Sequence, residues 1–133
     1  MSAHTFPVRI YYEDTDFSGN VYHAAYLKFF ERGRTEFLRD LGIHHHELVE
    51  DGLAFAVRSM EIDFIAAARI DDLLTVTTEV LEAGGVRLVL SQTILREDKV
   101  ITTAKVQVVT IKTSGGPARL PADLRARLVP STA

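Results

Sequence analysis

Between Tyr11 and His23 the chain reads Tyr-Tyr-Glu-Asp-Thr-Asp-Phe-Ser-Gly-Asn-Val-Tyr-His, a dense run of carboxylates with a serine and a histidine. A carboxylate such as Asp16 can act as general base toward a water or attack an electrophilic carbonyl carbon directly. His23 is the natural proton shuttle near neutral pH. A helix beginning near Val21 to His23 leaves its first N–H groups unpaired at the positive end of the helix dipole, which suits the oxygen of a tetrahedral oxyanion. The chemistry on offer is attack on a carbonyl. Every residue also has an ordinary reading: Asp14, Asp16 and Ser18 are common helix caps, Gly19 is a turn glycine, and His23 is by default a partly exposed polar residue.

The elements that must hold this segment follow from periodicity. Phe6 to Glu13 alternates loosely and predicts a strand. From Val21 the spacing changes: Tyr22, Tyr26, Phe29, Phe30, Gly33, Phe37 and Leu41 recur at separations of three and four until Gly42 stops them, which predicts a helix of about five turns. Its apolar side is broad and aromatic, as if a curved surface wraps it. After a short helical turn at His44 to Asp51, Met60, Ile62 and Phe64 alternate with Glu61 and Asp63. Leu73 to Ala83, Val86 to Leu95 and Val100 to Lys112 are further extended segments. Gly84-Gly85 and Glu97-Asp98-Lys99 turn the last three into an antiparallel meander. A loop at Thr113 to Pro117 precedes a short helix from Pro121 through Leu128, after which the end frays. One long early helix with about five antiparallel strands is an α+β layout in which a single sheet covers the helix.

Bulk properties narrow the function. At 133 residues, with 47% hydrophobic and 25% charged side chains, the chain is expected to form one domain with an adequate core. Fifteen Lys and Arg against eighteen Asp and Glu give a net charge of −3, without the basic stretch that a nucleic-acid partner requires. With no cysteine there is no thiolate nucleophile, disulfide or zinc–thiolate site. Met1 to Pro7 lacks an apolar signal core, and no window approaches the ~18 apolar residues of a membrane span. A cytoplasmic protein without membrane insertion is the expectation. His44-His45-His46 splays around a helical turn instead of converging on one ion, so no metal is expected. Ser18 lacks the Gly-x-Ser-x-Gly elbow of a serine nucleophile, and the paired glycines lack the spacing of phosphate loops. Arg87, Arg96, Lys99 and Lys112 read as a solvated face.

The run YYEDTDFSGNVYHAAYLKFF, Tyr11 to Phe30, continued by Glu31-Arg32-Gly33-Arg34-Thr35-Glu36-Phe37-Leu38, closely resembles the opening of YbgC-type acyl-CoA thioesterases, in the 4-hydroxybenzoyl-CoA thioesterase branch of the hotdog superfamily. The resemblance continues more loosely through Ala54 to Phe64 and Ala68 to Leu74, spanning a core of about residues 6–112, with 113–133 as a tail. It implies a hotdog fold, five antiparallel strands curled around one long central helix. It also implies hydrolysis of an acyl-CoA thioester without a cofactor, coenzyme A being part of the substrate. Asp16 falls on the catalytic aspartate, Asp14 shapes the loop, and the oxyanion donor is the main-chain N–H at His23, whose side chain assists. Tyr12, Gly19, Val21, Tyr26 and Ser59 are the expected substrate-binding positions. The acyl site is expected between paired subunits, in a homodimer or homotetramer. Asn20, Ala25 and the proline-free Ala66-Ala67-Ala68-Arg69 depart from the pattern. A hydratase or dehydratase acting on acyl thioesters and a non-catalytic acyl-CoA-binding module are the competing readings.

Overall fold

The computed structural model describes residues 3–130. Its elements in order are β1 (His4–Arg9), a 3-10 turn at Tyr12–Asp14, α1 (Ala25–Asp40), α2 (His45–Glu50), β2 (Leu53–Phe64), β3 (Leu73–Ala83), β4 (Arg87–Arg96), β5 (Lys99–Lys112) and α3 (Ala122–Arg125). The five strands form one antiparallel sheet in the order β1-β3-β4-β5-β2. The meander of β3, β4 and β5 follows the glycine and charged turns. β1 and β2 are added at its two edges.

The sheet wraps α1 because the alternating residues of each strand supply one apolar face. Leu74, Val76 and Val80 of β3, Leu90 and Ile94 of β4, and Ile101 and Val106 of β5 are buried together with Phe29 and Phe30 of α1. Each such side chain contributes about 1.5–3 kcal/mol of burial. Gly33 lets the helix approach closely: a Cβ there would stand 2.6 Å from Val76 Cγ1 and 3.3 Å from Gln92 Nε2. Gln92 itself is buried and satisfied, its amide donating to Phe30 O at 3.0 Å and Thr78 Oγ1 at 2.9 Å, and accepting from Arg34 Nη1 at 3.0 Å. A fully bonded polar group in a core fixes the alignment of the elements it joins.

Several boundaries differ from the periodicity. β1 ends at Arg9 rather than Glu13, because Asp14 folds back and its carboxylate accepts the Tyr11 N–H at 2.9 Å. α1 starts at Ala25 instead of Val21, because the Val21 and Tyr22 N–H groups are drawn to Ala68 O and Asp14 O in extended pairing. β2 begins at Leu53, well before Met60. A register shift between Val57 and Ser59 resets the alternation there and hides the first half of the strand. α3 is a single turn, yet Leu120 and Leu128 flank it as core residues, Leu128 being 1% exposed. The chain end expected to fray, residues 131–133, lies outside the described residues. No helix of the described residues is long and apolar enough to cross a membrane.

Candidate active site

The segment rich in carboxylates forms a tight loop between β1 and α1. Thr15 and Val21 bridge as antiparallel partners. Asp16 N–H donates to Asn20 O at 2.9 Å and Gly19 N–H to Asp16 O at 3.1 Å. Gly19 takes φ +85°, a left-handed conformation that only glycine adopts without strain. Within this turn the Ser18 hydroxyl and main-chain N–H both donate to Asp16 Oδ1, at 2.5 and 2.8 Å. Those bonds, the hydroxyl first, hold the Asp16 carboxyl below its ordinary value. Asp16 is therefore a carboxylate at neutral pH, solvent-facing, with no partner on Oδ2 among the described residues.

The capping reading does not hold for α1. Its N-cap position is Ala24, with no side-chain cap. Asp14 is spent on Tyr11 and Asp16 on Ser18, so both carboxylates shape the loop locally. At the helix start, Ala25, Tyr26 and Leu27 N–H groups are taken by the carbonyls of Tyr22, His23 and Ala24. Among the described residues the N–H groups of His23 and Ala24 have no acceptor. A carboxylate and open main-chain donors thus lie on consecutive turns of one segment. The His23 ring packs against Tyr22 at a tilt of 53°, with centroids 4.6 Å apart, and meets Phe64 of β2 edge-on at 6.3 Å.

One residue far along the chain clamps this arrangement. Ala68, fully buried, accepts the Val21 N–H at 2.8 Å through its carbonyl and donates its own N–H to the Tyr26 hydroxyl at 3.2 Å. Asn20 bridges to neighbouring Arg69. The proline-free stretch is held from outside: Arg96 donates to Ala67 O at 2.5 Å and reaches Asp72, whose carboxylate also accepts the Arg69 N–H at 2.9 Å. Arg96 is thus a strut of the loop, and Arg87 pairs with Glu82. Sequence reasoning missed Ala68, Arg96 and Asp72 as supports. No local pattern marks an alanine whose main chain serves both directions.

The other expected substrate-binding residues separate by environment. Tyr12 is 82% exposed beside the loop. Val21 is buried beneath it, and Tyr26 is 3% exposed, its hydroxyl committed to Ala68 and its ionisation pushed up by burial. Tyr26 therefore shapes the wall behind the loop. Ser59 is not brought into this cluster within one chain. Its register partner is Gln107, to whose Oε1 it donates at 3.1 Å, on the sheet face turned away from α1. Among the described residues no group of three or more His, Asp or Glu side chains is placed to hold a metal ion. His45, from the histidine run, faces Phe55 edge-on at 6.0 Å.

A family model described as the thioesterase-like superfamily matches residues 11–128. The acyl-CoA thioesterase YbgC of Haemophilus influenzae is 48% identical over 108 residues, covering 80% of this chain and 79% of that protein. The acyl-CoA thioester hydrolase YbgC of Escherichia coli O6:H1 is 46% identical over 110 residues, covering 79% of each. A probable thioesterase from Bartonella henselae superposes with a TM-score of 0.86 at 49% identity, covering 90% of this chain and all of that one.

Proposed function

The chain belongs to the thioesterase-like superfamily, and from that premise we propose that it hydrolyses acyl-CoA thioesters with Asp16 as the reacting carboxylate. The observation that carries this reading is the ionised, solvent-facing Asp16 held in the loop directly before the open N–H groups of His23 and Ala24. The thioester carbonyl oxygen accepts from the His23 N–H, with the start of α1 behind it, and negative charge developing on that oxygen is stabilised there. Asp16 then takes a proton from water as the water oxygen bonds to the carbonyl carbon. Alternatively, its free Oδ2 attacks that carbon to give a mixed anhydride, which water cleaves. In both routes the carbon–sulfur bond breaks, the thiolate leaves as CoA and the acyl group ends as a carboxylic acid. The His23 side chain stands beside this path as a proton carrier, and Tyr12 and Tyr22 flank it. No cofactor takes part.

Pairing of two copies completes the reading. β2 is an edge strand of 12 residues with one side of its backbone unpaired among the described residues, and such an edge invites another strand. A two-fold antiparallel pairing of β2 with itself sets the Phe64 end, beside His23, next to the partner copy's opposite end. The site then lies between subunits, in a dimer or a pair of dimers.

The test is thiol release by the purified protein from a panel of acyl-CoA chain lengths, with Asp16→Asn as the blank and light scattering on the same samples. Turnover by the wild type that Asn abolishes, in a dimer or larger species, supports the reading. Near-wild-type turnover by Asp16→Asn removes Asp16 from its role. Tight acyl-CoA binding without thiol release identifies a binding module instead, and a fully active monomer overturns the shared site.

A further inference from the structure

A cleft of about 240 Å³ opens between α1 and the helix-facing side of β2, β4 and β5. Most of its wall is apolar, from Leu38, Phe55, Val57, Leu90 and Val108. Arg34 interrupts that wall. Its guanidinium is largely taken out of water, and that burial, the largest influence on it, lowers its hold on the proton. Among the described residues it forms no ion pair and one hydrogen bond, from Nη1 to Gln92 Oε1 at 3.0 Å. A guanidinium carries five N–H donors, and burying it without acceptors is expensive. Gln92 is fully used by Arg34, Phe30 and Thr78, so it offers no second acceptor. Glu31, one turn before Arg34, lies exposed at the cleft's edge without reaching ion-pair distance. Thr35 and His45 are the other polar side chains of the lining, and a mostly apolar cleft with a few polar groups, one of them a fixed guanidinium with donors to spare, is the general form of a small-molecule site.

We propose that this cleft receives the far end of the acyl group and that Arg34 selects acyl chains carrying an oxygen acceptor there, a hydroxyl or a carboxylate, over plain alkyl chains. The inference rests on the thioesterase reading above and names the substrate class of that site. Phe55 and Val57 place the cleft at the end of β2 away from Phe64. The two-fold β2 pairing therefore sets the cleft of one copy beside the Asp16 loop of the other, and the acyl chain crosses the interface. A charge-assisted hydrogen bond from Arg34 then compensates the guanidinium's lost hydration when the correct substrate is seated.

The experiment compares kcat/KM for hexanoyl-CoA with ω-hydroxyhexanoyl-CoA and adipoyl-CoA, and for octanoyl-CoA with its ω-hydroxy and ω-carboxy counterparts, in wild type, Arg34→Met and Arg34→Lys. In the wild type, the oxygen-bearing members of at least one length are expected to be preferred by about ten- to a hundredfold. Arg34→Met keeps the length and apolar stem but also removes the donor to Gln92, so plain chains lose some kcat/KM and oxygen-bearing chains lose about ten- to a hundredfold more, which brings their ratio to near one; Arg34→Lys keeps part of the ratio. Equal kcat/KM for plain and oxygen-bearing chains at both lengths in the wild type overturns the assignment and leaves thioester hydrolysis intact, a comparison that needs no variant to fold. An Arg34→Met protein that loses plain and oxygen-bearing substrates in equal proportion shows a purely structural arginine and also overturns it. Absence of thiol release from every substrate with the wild type refutes the thioesterase reading itself.

Discussion

At its start α1 is bordered by polar groups that face water: among the described residues Asp16 holds only its own turn, the His23 and Ala24 N–H groups stay open, and no side chain caps the helix. Further along the same helix, where Gly33 meets the sheet, the buried Gln92 amide is fully matched to Phe30, Thr78 and Arg34, and the backbone approaches too closely for a methyl group; Arg34 alone keeps donors to spare there. The first region gives up about 1 kcal/mol of capping and keeps groups available for chemistry. The second uses its hydrogen bonds to hold helix and sheet in one alignment. Groups meant for a reacting molecule are left unsatisfied in the free protein, and only the rigid part of the helix makes that tolerable.

Substitutions can break this contrast in a definite order. Asp16→Asn is expected to lower kcat about a thousandfold, while its thermal midpoint stays near wild type, because the side chain is exposed; parallel activity assays and thermal melts check both halves. Gly33→Val gives the opposite pattern, with a loss of about 3 kcal/mol from overpacking against Val76 and Gln92, read as a shifted denaturant midpoint with residual activity in the protein that still folds. Tyr26→Phe sits between the regions. It leaves the buried Ala68 N–H without an acceptor, and the loss of about 1–2 kcal/mol is accompanied by lower kcat, since Ala68 also holds Val21.

The smallest effect is on pH dependence. Ser18 bonds keep the Asp16 carboxyl below its usual range, so the reactive carboxylate persists as pH falls. Ser18→Ala removes the hydroxyl, the largest of those influences, and the acid limb of kcat/KM moves to higher pH. For stability the sign is the same: a depressed folded-state value favours the fold above the unfolded-state value, and that contribution fades as pH falls through the folded one. A pH profile whose acid limb stays in place in Ser18→Ala separates Asp16 from the titration that governs rate.

What was legible in the sequence was local. The three-and-four spacing of Tyr26, Phe29, Phe30 and Phe37 marks α1, and Asp16, Ser18 and Gly19 lie within one turn whose bonds all close within the segment. Strand alternation marks β3 to β5 because each pairs with its chain neighbour. The unread parts depend on distant partners. The first half of β2 is masked by the bulge at Val57 and Ser59, and the placement of Ser59 depends on its pairing with Gln107. The start of α1 is set by Ala68, and the role of Arg96 by Asp72 and Ala67. Arg34 sits inside the stretch that marks the helix, but its uncompensated burial becomes visible only once Gln92 and the cleft are in place.

The double use of Ala68 also dictates when the site can exist. β1 pairs with β3, and the Asp16 loop is fastened to a residue just ahead of β3, so neither can close until a much later part of the chain is present. Contacts of this range form slowly, after local helix and hairpin contacts. During synthesis the carboxylate and the helix that complete the site emerge early, but the protein gains its chemistry only after the meander has docked. In pulsed hydrogen exchange during refolding, the Val21 N–H should become protected together with β3, after the interior of α1.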